Sequence, residues 1–131
     1  MLILDTHALI FDALTPDRLS KRAQKAIAEA ELHQQLACCD ISLWEVAMLL
    51  HKKRLQVDQN ATLFIKTILA AKLVRVLPIT PEIAVLSQDA SILKHKDPAD
   101  RLIVATTLYH KAQLLSCDTK LRKIDELSIL W

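Results

Sequence analysis

Five short apolar runs constrain this chain more than any other feature: Leu2–Leu4, Leu36–Cys39, Val74–Leu77, Leu114–Cys117 and Leu127–Trp131. The first is apolar without a break and is closed by Asp5, the pattern of a strand buried on both faces. The stretches between the runs carry helical signals. Thr6–Leu14 reads as a short helix, with Pro16 ending that unit. Ser20 then caps a helix with Ala23, Ala26, Ile27 and Ala30 on one face and Lys21, Arg22, Lys25 and Glu29 mostly on the other. Ser42-Leu43-Trp44-Glu45 is spaced as a capping box opening a helix with Leu43, Val46, Ala47 and Leu50 on one side. Further helices are expected over Val57–Leu73, from Thr80-Pro81 to about Ala90, and after Asp97. This alternation predicts one α/β domain over residues 1–131 with a mainly parallel central sheet.

Composition narrows the function classes. At 131 residues, 52% hydrophobic and 24% charged, the chain has ample material for one core. No apolar run approaches a membrane span, and Met1-Leu2-Ile3-Leu4-Asp5 lacks the basic region of a signal peptide, so a cytoplasmic address is expected. Cys38, Cys39 and Cys117 have no C-x-x-C spacing and are expected to be reduced and buried. Glycine is absent altogether. That excludes the dinucleotide fingerprint G-x-G-x-x-G and the phosphate loop G-x-x-x-x-G-K-[ST], which need glycine where backbone approaches phosphate.

The net charge is only +2, but the basic residues cluster: Arg18, Lys21, Arg22 and Lys25; Lys52, Lys53 and Arg54; Lys94 and Lys96; Lys120, Arg122 and Lys123. Such clusters attract a polyanion, and they equally suit solvated helix faces.

The acids carry the chemistry. In His95-Lys96-Asp97-Pro98-Ala99-Asp100, Asp97 is a good N-cap, Pro98 sits at the first helical position and Asp100 at the third, near the positive end of the helix dipole. Asp5 and Asp118 close two predicted strands, and Glu45 begins a helix that follows a third. Ligands in open parallel sheets collect outside the carboxyl ends of the strands, so all four acids are placed at one rim. Each also has a local use: Asp5 and Asp97 as caps, Asp118 in a turn, Glu45 in its capping box. Gathered together, they would resist ionising without a cation among them, and an oxygen-rich site suits a hard ion such as Mg²⁺. That arrangement fits metal-assisted phosphoryl chemistry.

The motifs Leu4-Asp5-Thr6-His7, Ser42-Leu43-Trp44-Glu45-Val46-Ala47, His95 to Ala105 and Cys117-Asp118-Thr119 resemble those of PIN-domain proteins, most closely VapC-like toxins of type II toxin-antitoxin systems. The resemblance spans essentially the whole chain in the right order. It implies a three-layer α/β/α fold and a Mg²⁺- or Mn²⁺-dependent endoribonuclease, usually a homodimer and inhibited by a cognate antitoxin. Carried over by position, the metal-holding catalytic acids are Asp5, Glu45, Asp100 and Asp118, with Asp97 accessory. Ala99, Lys53-Arg54-Leu55 and Leu121 depart from the common pattern without removing an acid.

Thr6, Ser42 and Thr119 are candidates to orient carboxylates or water, or else to make local turn bonds. His7, His95 and Arg101 stand near enough in sequence to meet phosphate, though Arg101 equally suits an ion pair. Trp44 and Trp131 read as packing residues. The expectation is a cytoplasmic RNA-cleaving toxin with no membrane association. Its apolar helices leave surface for a partner subunit and an antitoxin, whose basic side chain would enter the acidic site. The alternatives are a phospho-receiver domain, which needs an acidic pair where Asp5 is followed by Thr6 and His7, and a PIN module without catalysis.

Overall fold

The computed structural model describes residues 1–131. Its elements run β1 (Leu2–Leu4), α1 (Thr6–Leu14), α2 (Lys21–Leu32), β2 (Leu36–Cys39), α3 (Ile41–His51), α4 (Ala61–Ala71), β3 (Arg75–Leu77), α5 (Pro81–Leu86), α6 (Ala90–Leu93), α7 (Pro98–Tyr109), β4 (Gln113–Leu115) and β5 (Ser128–Leu130). Short 3-10 turns at Pro16–Arg18 and Thr119–Lys123 complete it. The strands form one sheet in the order β3-β2-β1-β4-β5, and every pairing is parallel. Strand order reverses at β1, which passes to β2 on one side and receives β4 on the other. The crevice beside such a reversal is where ligands settle in folds of this kind.

Strand alternation divides the interior into two cores. Leu2, Leu4, Leu36, Cys38 and Leu115 face α1 to α4, whereas Ile3, Ala37, Cys39 and Leu114 face α5, α6 and α7. The result is the expected three-layer α/β/α arrangement. Helix α7 is buried from Ile103 through Thr107, as its nearly continuous apolar sequence predicts. No helix is long and apolar enough to cross a membrane.

Several predicted boundaries move for identifiable reasons. The expected helix over Val57–Leu73 begins only at Ala61, because the Asn60 side chain accepts from the Leu63 amide at 2.8 Å and starts it there. The helix expected to reach Ala90 stops at Leu86, and Asp89 restarts the chain as α6 by accepting from the Ser91 amide. Pro16 opens a 3-10 turn after α1.

Lack of glycine leaves its mark at the helix ends. Gln34, Lys53, Leu73 and Lys111 each follow a helix with φ between 49° and 56°. At each of the four, the next residue's amide reaches back across the last turn: Gln35 to Ala30, Arg54 to Leu49, Val74 to Leu69 and Ala112 to Thr107, at 2.8–3.0 Å. These are Schellman closures, whose left-handed position glycine normally fills. A side chain there costs roughly 1–2 kcal/mol, against about 0.5–1 kcal/mol of extra chain entropy for glycine. Leu73→Gly should therefore raise the urea midpoint, by about 0.5 kcal/mol in unfolding free energy, with an unchanged slope. Ala28→Gly inside α2 should cost about 1 kcal/mol. Equal losses at both positions would show that Leu73 carries no strain.

Candidate active site

The carboxyl ends of β1, β2 and β4 and the start of α7 bring the site together. Asp5 leaves β1, caps α1 by accepting from the Ala8 amide at 2.7 Å, and is tied to β4 by its own amide bonding Leu115 O at 3.1 Å. Next to it, Thr6 is buried. Its hydroxyl lies 3.0 Å from Ser42 Oγ and donates to the Glu45 carboxylate at short range. A hydroxyl has one proton to give, so with that proton on Glu45 the Ser42 hydroxyl donates to Thr6. Thr6 thus links α1 to two turns of α3.

Helix α3 starts earlier than the capping box requires. The Asp40 amide bonds Leu77 O at 3.0 Å as the strand ends, and the helix follows at once from Ile41. Ser42 is therefore inside the first turn and fully buried, and Glu45 serves Thr6 rather than the helix end. The capping-box reading of both residues is overturned. Asp40 occupies the cap position without a side-chain cap bond. Its Oδ2 instead accepts from the Ile79 amide at 3.1 Å, fastening the loop after β3.

The third segment follows expectation. Asp97 caps α7, accepting from the Ala99 amide at 2.9 Å, and Pro98 at the first helical position sets Asp100 in the first turn. On the fourth, Asp118 accepts from the Lys120 amide at 2.9 Å, while its own amide donates to Ser116 Oγ at 3.1 Å. Ser116 is fully buried, and its hydroxyl lies near enough to Asp5 to favour the charged carboxylate, so it stands between Asp118 and Asp5. Sequence reasoning placed Ser116 inside a strand and missed it. The available signal was a polar residue at a strand end, two positions before an acid.

Electrostatics bind the acids into one group. Burial, then repulsion from Asp97, Glu45, Asp118 and Asp5, pushes the Asp100 carboxyl up to about 7. Burial also raises Glu45, opposed by the Thr6 hydrogen bond and reinforced by Asp97 and Asp5. Asp5 is raised by burial, against the bonds from Ser116 and Ala8, with Asp118 adding repulsion. No lysine or arginine answers this charge: the ion pairs among the described residues are Lys72–Asp12 at 2.7 Å and Lys72–Glu31 at 4.0 Å. Arg101 makes no ion pair, and its buried Nε has no partner among the described residues.

Among the described residues, no three His, Cys, Asp or Glu side chains close together as a complete ligand set. The acids interact across the site at electrostatic range. Mg²⁺ usually keeps several waters and takes one or two carboxylates directly, so a loose acidic ring without a protein cation suits it better than a tight cage would.

The remaining candidates are dispersed. His7 is exposed, close enough to favour the charged forms of Asp5 and Glu45. His95 is half-buried and Thr119 exposed. Trp131 packs against the first core, whereas Trp44, expected to pack, is 58% exposed. Cys38 and Cys39 are buried as expected, with burial pushing the Cys38 thiol up to about 12, but Cys117 is exposed because β4 ends at Leu115.

Comparison with known proteins agrees with this architecture. The chain is 34% identical over 120 residues to ribonuclease VapC22 of Mycobacterium tuberculosis, covering 92% of this chain and 88% of that protein. Among solved structures, VapBC2 from Rickettsia felis bound to a promoter DNA fragment superposes with a TM-score of 0.75 at 12% identity, over 98% of this chain and 96% of that one. FitAcB from Neisseria gonorrhoeae gives 0.70 at 21% identity, over 100% and 97%. At these identities the two structures speak for the fold alone. The PIN domain profile matches residues 2–127, and with a curated relative at this identity over nearly the full length, the chain belongs to the PIN domain family.

Proposed function

We propose that this chain is a divalent-metal-dependent endoribonuclease, the toxin of a toxin-antitoxin pair, with Asp5, Glu45, Asp100 and Asp118 as its catalytic acids. The observation that carries this reading is the placement of four acids where strands end and α3 and α7 begin, with no lysine or arginine paired to them among the described residues. Membership of the PIN family and likeness to a named ribonuclease point the same way. VapC nucleases of this family are metal-dependent, and Mg²⁺ or Mn²⁺ is the ion proposed here. A phospho-receiver is set aside by the family assignment.

When bound, the ion supplies Lewis acidity to a phosphate oxygen and lowers the pKa of a water. The chain's own residues set the geometry. The Ala8 amide holds Asp5, Thr6 aims Glu45, and the Lys120 amide holds Asp118. Asp100 makes no hydrogen bond among the described residues, which leaves both its oxygens to the ion or its waters. Such pre-set positions reduce reorganisation during reaction. Asp97 raises the charge around Asp100 while its own Oδ1 caps α7.

A cognate antitoxin is part of the proposal, since solved relatives include a toxin-antitoxin complex from Klebsiella pneumoniae. An arginine from it could occupy the acidic ring in place of metal. Exposed Trp44 on α3 and Val85 on α5 supply apolar surface for a homodimer. Light scattering should find a dimer at micromolar concentration, and a monomer throughout that range would remove this part.

Asn and Gln conserve shape and capping ability while removing charge. Asp100→Asn and Glu45→Gln should each cut Mg²⁺-dependent RNA cleavage by about 100-fold or more. Asp97→Asn should lose less. Near-normal cleavage by Asp100→Asn would overturn the site.

Proton linkage offers an independent check. In EDTA the folded chain holds the Asp100 proton up to about 7, against the ordinary 3.8, so this group's contribution is fully present below about 4 and is lost as pH rises through 7. Asp100→Asn should therefore melt above the wild type at about pH 8, and the gap should close near pH 4. Mg²⁺ at high pH should raise the wild-type melting temperature more than the mutant's. Identical melting curves at every pH would place Asp100 outside the repelling group.

A further inference from the structure

Beside the acids lies a cleft of about 250 Å³ lined by Lys94, His95, Lys120, Lys123, Ile124 and Asp125, together with a serine. Its walls belong to two segments distant in sequence. One is the end of α6 and the loop that runs on to Asp97, and the other is the 3-10 turn that follows Asp118. The second wall is fastened to the site, because the Lys120 amide itself bonds the Asp118 carboxylate. Ile124, 5% exposed, gives the cleft an apolar floor.

Three lysines face one aspartate here, and none of the four makes an ion pair among the described residues. Lysines on a solvated helix face diverge into water. These converge on a concavity, where their fields add over a low-dielectric floor. The carboxylates next door repel phosphate until metal is bound, so a substrate strand needs an attractive hold nearby. The cleft has room for a phosphate group, and among the described residues Ile124 is its one large apolar lining, which is little for a peptide to grip.

We propose that this cleft is an RNA subsite in which Lys94, Lys120 and Lys123 hold a backbone phosphate next along the strand from the one being cut. The proposal deepens the ribonuclease reading and rests on it. The three lysines are positioning residues. They set which phosphodiester lies over the acids, and as point charges they do so without reading the base.

The test is fluorescence anisotropy of a labelled single-stranded RNA in EDTA, where binding is measured without cleavage. Lys94→Gln/Lys123→Gln should weaken binding about tenfold and flatten the plot of log affinity against log salt by about 0.7 for each phosphate no longer neutralised. With Mg²⁺, cleavage at subsaturating RNA should fall in proportion. Arg75→Gln/Lys111→Gln removes equal charge at the opposite sheet edge and should bind as the wild type does. Unchanged affinity and slope in the first variant would overturn the subsite, as would an equal loss in the second. So would inorganic phosphate that saturates the cleft lysines without competing with RNA. Wild-type protein that binds RNA through these lysines yet cuts none with any divalent ion would sink the ribonuclease reading instead, leaving an RNA-binding cleft.

Discussion

Like-charge repulsion at the sheet edge is the constraint to which the rest of the structure answers. Parallel strands deliver their carboxyl ends, and so Asp5 and Asp118, to one side, while α3 and α7 add Glu45 and Asp100. Left to themselves, these side chains would turn outward into water. Three of them are instead restrained by neutral donors: Asp5 by the Ala8 amide, Asp118 by the Lys120 amide and Glu45 by the Thr6 hydroxyl. Neutral donors can fix a carboxylate's position while leaving its charge uncompensated, which a lysine or arginine partner could not do.

Thr6 shows how small the means are. Wedged between β1 and α3, it turns one hydroxyl into a link between Asp5's neighbourhood and Glu45, with Ser42 completing the chain. Asp40 does comparable work away from the chemistry. Its carboxylate binds the Ile79 amide and keeps the β3–α5 connection against the end of β2. Similar acids at the same edge thus serve different ends, decided by whether the nearest donors belong to a loop or to another functional segment.

The sequence was most legible where local and global signals agreed. Helix α7 was readable end to end: Asp97 and Pro98 mark its start, and the run from Ile103 holds one pattern to the buried face. The same was true of β1, Asp5 and α1. Legibility failed where a distant partner decided the outcome. Ser42-x-x-Glu45 has the spacing of a capping box, but the Asp40 amide's bond to Leu77 ends β2 and lets α3 begin before Ser42. Ser116 gave no local hint of its place because it accepts from the Asp118 amide, nearby, while its effect falls on Asp5, at the other end of the chain. Trp44 was expected inside because tryptophan usually is, and only the orientation of α3 puts it outside.

The left-handed residues add a spatial division. Gln34, Leu73, Lys111 and Glu126 stand two positions before β2, β3, β4 and β5, at the edge where strands begin. The acids stand where strands finish. Backbone strain and electrostatic strain therefore occupy opposite margins of one sheet, separated by the length of its strands. The fold thus holds two stores of unspent stability that can be drawn on separately: relaxing a helix end leaves the carboxylates untouched, whereas relaxing the carboxylates changes the electrostatics of the candidate site. A substitution that relieves the backbone at one margin therefore adds stability without altering the charge at the other.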